Sequence, residues 1–152
     1  MVILSMFGLS VMAWSDNESA MVEKLVATQK PLADLQPTAE ELCQWDCENK
    51  KYIVELKFRP GNVQYEDAMI EQKKYEALIE AGEATKRDAL YVMQSVGKIY
   101  IWNLTRLTAE GYDFHWYNKS LRATTHFVNR GYVKKRIGRL QWEDAKVIID
   151  VR

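Results

Sequence analysis

Two cysteines, two histidines and three prolines are all that a chain of 152 residues carries of those types. Cys43 and Cys47 stand four positions apart, roughly 13 Å on one extended strand, which is beyond disulfide reach. They read as buried thiols, and buried thiols fit a reducing, cytoplasmic compartment. His115 and His126 have no Cys or His at ligand spacing, so both read as structural, with catalytic or ligating roles as the lesser alternative. No G-x-x-x-x-G-K-S/T loop is present to cradle a nucleotide cofactor, and no G-x-S-x-G elbow for a serine hydrolase. Internal repeats and low-complexity tracts are also missing. The uncharged run Met1 to Ser15 is too short to span a membrane. Ala13-Trp14-Ser15 imitates a signal-peptidase site, but the basic opening of a signal peptide is lacking. The run is expected to pack as an N-terminal segment or an oligomer contact, with secretion the minority reading.

Net charge is absent too: 21 basic residues balance 21 acidic ones. That average conceals a region with no acid at all, Phe114 to Trp142, in which Lys119, Arg122, Arg130, Lys134, Lys135, Arg136 and Arg139 alternate with aromatic side chains. Such a tract has the electrostatic footprint of a phosphate-binding surface, and DNA is the partner it suggests. The alternative is a solvated basic surface neutralised by the acidic first helices. Asn129-Arg130-Gly131-Tyr132 reads as a turn presenting Arg130 and Tyr132. With 47% hydrophobic and 28% charged residues, the composition is that of a globular chain, and its length implies one domain over residues 1–152.

Most of the chemistry sits in Leu42 to Arg59, LCQWDCENKKYIVELKFR. With Asn49-Lys50 as a two-residue turn it folds into a hairpin that pairs Glu48 with Lys51, Asp46 with Ile53 and Gln44 with Glu55. Side chains alternate between faces. One face then collects Cys43, Trp45, Cys47, Tyr52, Val54, Leu56 and Phe58; the other collects Gln44, Asp46, Glu48, Lys51, Ile53, Glu55, Lys57 and Arg59. Asp46, Glu55 and Lys57 share that second surface. It reads either as a solvated polar face or as a site, and only an even-length turn keeps Asp46 on the side of Glu55.

Asp46 followed by Glu55-Leu56-Lys57 resembles the core motif of the PD-(D/E)XK nuclease superfamily, although Trp45 stands where the motif name has Pro. The resemblance covers roughly Leu42 to Leu107. It implies an α/β, mixed α+β restriction-endonuclease-like core, a central mixed sheet flanked by helices. It also implies Mg²⁺, with Mn²⁺ as a substitute, held by Asp46, Glu55 and the backbone carbonyl of Leu56. Hard oxygen donors suit that ion, which polarises the phosphodiester and activates water while Lys57 stabilises developing charge. Gln72-Lys73-Lys74-Tyr75 resembles the Q-x-x-Y helix motif of the recombination-exonuclease branch, which implies that Gln72 and Tyr75 orient the site. Tyr75 as a plain core residue is the alternative. Glu23, on the first helix, is a candidate for a carboxylate near the metal, with a solvated residue as the other reading.

Around this hairpin the spacing predicts a helix from Ser15 to Lys30, stopped by Pro31, and an irregular lead-in from Leu32 to Thr38. Thr38 to Glu41 reads as a capping box for one short turn. A helix is expected over Gln64 to Ala81, with Tyr65, Ala68, Met69, Tyr75, Leu78 and Ile79 as its apolar stripe. Ala89 to Val96 and Ile99 to Leu107 read as strands joined at Gly97-Lys98. Val133 to Leu140 is open between strand and helix, and a helix is expected beyond Gln141. The functional expectation is a Mg²⁺-dependent DNA endonuclease, working as a dimer or higher homo-oligomer if it cuts duplex DNA. The second expectation is a non-catalytic nucleic-acid-binding or phage or mobile-element assembly protein that keeps the nuclease fold.

Overall fold

Ser15 begins the first helix with a reciprocal cap: its Oγ accepts the Glu18 amide at 3.2 Å, and Glu18 Oε1 accepts the Ser15 amide at 2.9 Å. The pair satisfies two donors that a helix start leaves open. A computed structural model describes residues 15–38, 43–122 and 131–148; Met1 to Trp14, most of the expected Thr38 to Glu41 box, His126 and Arg130 lie outside them. Helix α1 is Asp16–Thr28, burying Met21, Val22 and Leu25. Pro31 falls in the 3-10 turn Lys30–Leu32 that follows. Glu23 is exposed.

Asn49 closes the hairpin. Its amide donates to the Tyr52 carbonyl at 3.0 Å, and its Oδ1 accepts the Lys51 and Tyr52 amides at 2.9 and 2.8 Å. Asparagine favours this side-chain turn. The tip residues are therefore Lys50 and Lys51, one position later than expected. Strand β1, Gln36–Pro37, pairs with β2, Cys47–Glu48, and β2 pairs with β3, Tyr52–Arg59, setting Cys47 opposite Val54 and Glu48 opposite Ile53. The register is displaced by two, so the faces of the ladder are preserved. The first hairpin strand is shorter than expected, because residues 44–46 bend out of the ladder. Trp45 consequently packs on the opposite side of the sheet from Cys47.

The expected helix from Gln64 is replaced at its start by strand β4, Ala68–Glu71, and helix α2 begins only at Gln72, ending at Thr85. Tyr65, assigned to the stripe, is 76% exposed. Ala68 and Ile70 are buried while the alternate residues Met69 and Glu71 are less so. Four residues with that period fit a strand as well as a helix. The choice is made by strand β8, Tyr132–Leu140, which lies antiparallel along β4.

Strand β5, Asp88–Ser95, runs parallel to β3, and β6, Lys98–Asn103, pairs antiparallel with β5. Helix α3, Leu104–Ala109, takes over where the second of these strands was expected to continue. The β5–β6 turn is Val96-Gly97, both at positive φ, 49° and 74°. A β-branched residue is poorly suited to that region. Val96→Asn is expected to raise stability by about 1 kcal/mol in urea denaturation, since Val96 is 40% exposed and loses little packing.

Beyond Gln141 the chain makes the 3-10 turn Trp142–Asp144 and then strand β9, Lys146–Ile148, paired with β6, in place of a helix. The edge of β6 supplied a partner that local periodicity does not register. The larger sheet has the order β1-β2-β3-β5-β6-β9, and a second sheet has the order β4-β8-β7, where β7 is Tyr117–Arg122. One face of the larger sheet, with Cys47, Val54, Leu56, Leu90 and Val92, packs on α1. The other, with Ile53, Tyr91, Met93 and Trp102, packs on α2, α3 and the second sheet. The protein is thus a mixed α+β fold with a mixed multi-stranded sheet and few helices.

Candidate functional site

Along β3, alternate residues turn their backbone groups toward β2. The Tyr52 and Val54 carbonyls accept the Asn49 and Asp46 amides at 3.0 and 2.9 Å, and Leu56 is next in the series. There β2 has bent away, and Asp46 Oδ2 accepts the Leu56 amide at 2.7 Å. A carboxylate replaces one rung of the ladder. The Leu56 carbonyl, on the same side of β3 as its amide, points past the end of β2.

Asp46 lies just past the last β2–β3 pair, Cys47 opposite Val54, and from the bend it hydrogen-bonds Glu55. Glu55 is only 6% exposed, so the face read as solvated or functional is dry at this point. Lys74 Nζ lies 3.6 Å from Glu55 Oε1, and Lys57 Nζ lies 3.7 Å from Oε2. Lys74 also donates to the Gln44 carbonyl at 3.1 Å, tying α2 to the bend that carries Asp46. Burial, and then the charge of Asp46, push the Glu55 carboxyl up to about 7, against the opposing pull of Lys74 and Lys57. Asp46 is also raised, first by burial and then by the charge of Glu18, while the Leu56 amide, Lys74 and a hydrogen bond with Glu55 act downward. Two ammonium groups do not fully offset two desolvated carboxylates. The centre therefore favours an additional positive charge, a proton or a cation.

Asp46, Glu55 and Lys57 are thus brought together. Lys74, inside the Gln72-Lys73-Lys74-Tyr75 segment, is the residue of that helix that reaches them, although the motif pointed to its neighbours. Gln72 is half-buried at the first position of α2. Tyr75 hydrogen-bonds Thr108 at 2.7 Å and packs its ring 4.7 Å from Phe114 and 5.3 Å from Trp116. Those contacts place it in the core cluster and make none with the carboxylates. On α1 the acid felt at Asp46 and Cys47 is Glu18, not Glu23. Its sequence signal was the capping box, which has no bearing on a metal.

The basic tract divides between strands and faces. Strand alternation puts Lys119, Lys135 and Arg139 on one face of the second sheet and Lys134 and Arg136 on the other, with the Arg122 position in register with Tyr132. Lys135 pairs with Glu71 at 2.9 Å and Arg139 with Asp67 at 3.8 Å, and Arg139 lies over the Tyr117 ring at 4.7 Å. Lys119, Lys134 and Arg136 are exposed and have no acid partner among the described residues. His115 is exposed, 3.5 Å from Asp113.

Among the described residues no three His, Cys, Asp or Glu side chains converge as a metal site. The donor set is two carboxylates beside a backbone carbonyl, all hard oxygen, which suits a small divalent cation that keeps several waters. No described helix is long and apolar enough to cross a membrane. Comparison with known proteins finds no family model, curated protein or solved structure that matches the chain.

Proposed function

We propose that the protein is a metal-dependent DNA endonuclease with a PD-(D/E)XK core, whose site is Asp46, Glu55 and Lys57. The observation that carries this reading is the buried Glu55 beside half-buried Asp46, Glu55 raised by burial and by the charge of Asp46 and Asp46 raised by burial, with Lys57 at 3.7 Å. The order of elements supports it as well: a helix, a hairpin carrying the two acids, a second helix, and a strand parallel to the acid-bearing one.

Asp46, Glu55 and the Leu56 carbonyl would hold Mg²⁺ or Mn²⁺. When bound, the ion supplies Lewis-acid polarisation of the phosphodiester and charge for activating water. The chain supplies the rest. Asp46 is oriented by the Leu56 amide, and Lys74 holds both Glu55 and the Gln44–Asp46 bend. Lys57, at 37% side-chain exposure, offers its ammonium to charge developing on the phosphoryl oxygens. Exposed cations of the second sheet hold backbone phosphates, and a homo-oligomer would place two such sites on one duplex.

Supercoiled plasmid is expected to be nicked or linearised with Mg²⁺ and left intact with EDTA. The second reading is a non-catalytic nucleic-acid-binding or assembly protein on the same fold. It is favoured by the missing third acidic ligand among the described residues. Salt-sensitive DNA binding without heat of Mg²⁺ or Mn²⁺ binding in calorimetry selects that reading.

A further inference from the structure

A recess of about 100 Å³ opens between the two sheets, beside the carboxylate pair. Lys57, Arg59 and Lys74 line it, with Glu71 as its acid and Tyr91 and Leu121 among the less polar walls. Glu71 is already bound by Lys135 at 2.9 Å. Lys57 and Lys74 share the one carboxylate of Glu55, and Arg59 has no acid partner among the described residues. Cationic charge in the recess therefore exceeds anionic charge. We propose that this recess binds a phosphate group of a single nucleic-acid strand, and so admits single-stranded substrate to the site described above.

Three observations carry the inference. First, an arginine beside two ammonium groups matches a tetrahedral oxyanion, because the guanidinium fork binds phosphate oxygens in pairs. Second, Glu55, Lys57 and Arg59 alternate on one face of β3, roughly 6.6 Å apart at strand rise, so a backbone bound at Arg59 continues past Lys57 to the carboxylates. Third, the recess is too small for a duplex, whose major groove alone is about 12 Å wide. It does accommodate one phosphate, with Leu121 and the Tyr91 wall against the sugar. This rests on the proposed function for what happens at Glu55, but the binding step needs no divalent cation.

The test is fluorescence anisotropy in EDTA with a single-stranded oligonucleotide, with and without a 5′-phosphate, and a blunt hairpin duplex of equal length. Arg59→Ala, at an exposed position, is expected to weaken single-strand binding about tenfold, while melting like the wild type. Arg59→Lys is expected to recover part of that loss. Lys30→Ala, exposed in the 3-10 turn on the α1 side of the larger sheet, serves as a control expected to change affinity less than about twofold. A preference for the 5′-phosphate assigns a terminal phosphate, and equal affinity assigns an internal one. Unchanged binding by Arg59→Ala, an equal loss with Lys30→Ala, or tighter binding of the duplex overturns the proposal. Arg59-dependent binding with no Mg²⁺-dependent cleavage by the wild type leaves the recess standing and removes the nuclease.

Discussion

Lys57→Ala is expected to lower Mg²⁺-dependent cleavage by about 10²–10³-fold, the usual loss when one preorganised donor to developing charge is removed. The fold should be indifferent to the change. The backbone of Lys57 stays in the ladder opposite Met93, and its side chain is 37% exposed with one ion pair among the described residues, to Glu55, which keeps Lys74. Initial nicking rates on supercoiled plasmid provide the measurement, alongside a melting curve and a Mg²⁺ titration that should both resemble the wild type. Full activity in the variant would remove Lys57 from the site and with it the main support for this chemistry.

Glu55→Gln is expected to abolish cleavage and, in the metal-free protein, to stabilise the fold at alkaline pH. The sign follows from the direction of the shift. Unfolded, Glu55 ionises near 4.5; folded, it is held up to about 7 by burial and by Asp46. Below the lower value both states carry the proton and the group costs nothing. Between the two, the unfolded chain ionises while the folded one does not, so stability falls as pH rises. Above about 7 the loss is complete, on the order of 3 kcal/mol for a shift from 4.5 to about 7 at 1.36 kcal/mol per unit. The glutamine variant escapes it. Urea denaturation in EDTA should show the variant ahead of the wild type at pH 8 and the two converging by pH 5. A wild type equally stable at both, with no gain from the substitution, would mean that the carboxylates are not strained. In the wild type Mg²⁺ should raise the melting temperature at pH 8, and in the variant it should not.

Much of this centre was legible before any coordinates. Asp46, Glu55 and Lys57 were assigned to one face from period-two alternation. The displaced turn kept Glu55 and Lys57 on that face because the pairing moved by two residues, whereas Asp46 reaches Glu55 from a bend outside the ladder. The start of the first helix at Ser15 and the β5–β6 pairing were also local, resting on a few neighbouring residues. Lys74 was missed for a physical reason: a lysine next to Tyr75 looks like a solvated helix residue until the 44–46 bend is placed under it. Strand β4 was hidden because Ala68 to Glu71 suits two periods, and its partner in β8 lies far along the chain. Strand β9 escaped likewise, needing the free edge of β6.

The sequence by itself determined which side chains of β3 face the same way, because alternation along a strand is a property of covalent geometry; in the 44–46 bend it did not, and Trp45 crossed to the other side. It also determined that the basic residues fall in one acid-free tract. Only the tertiary structure decided that Glu55 is buried beside Asp46, that Lys74 joins them, and that the basic tract splits across two faces of a second sheet. Desolvation is imposed by elements remote in sequence, here α2 and the second sheet over the face of β3 that carries Ile53 and Glu55. That remote covering turns two ordinary carboxylates into a pair that holds its protons more tightly than carboxylates in water.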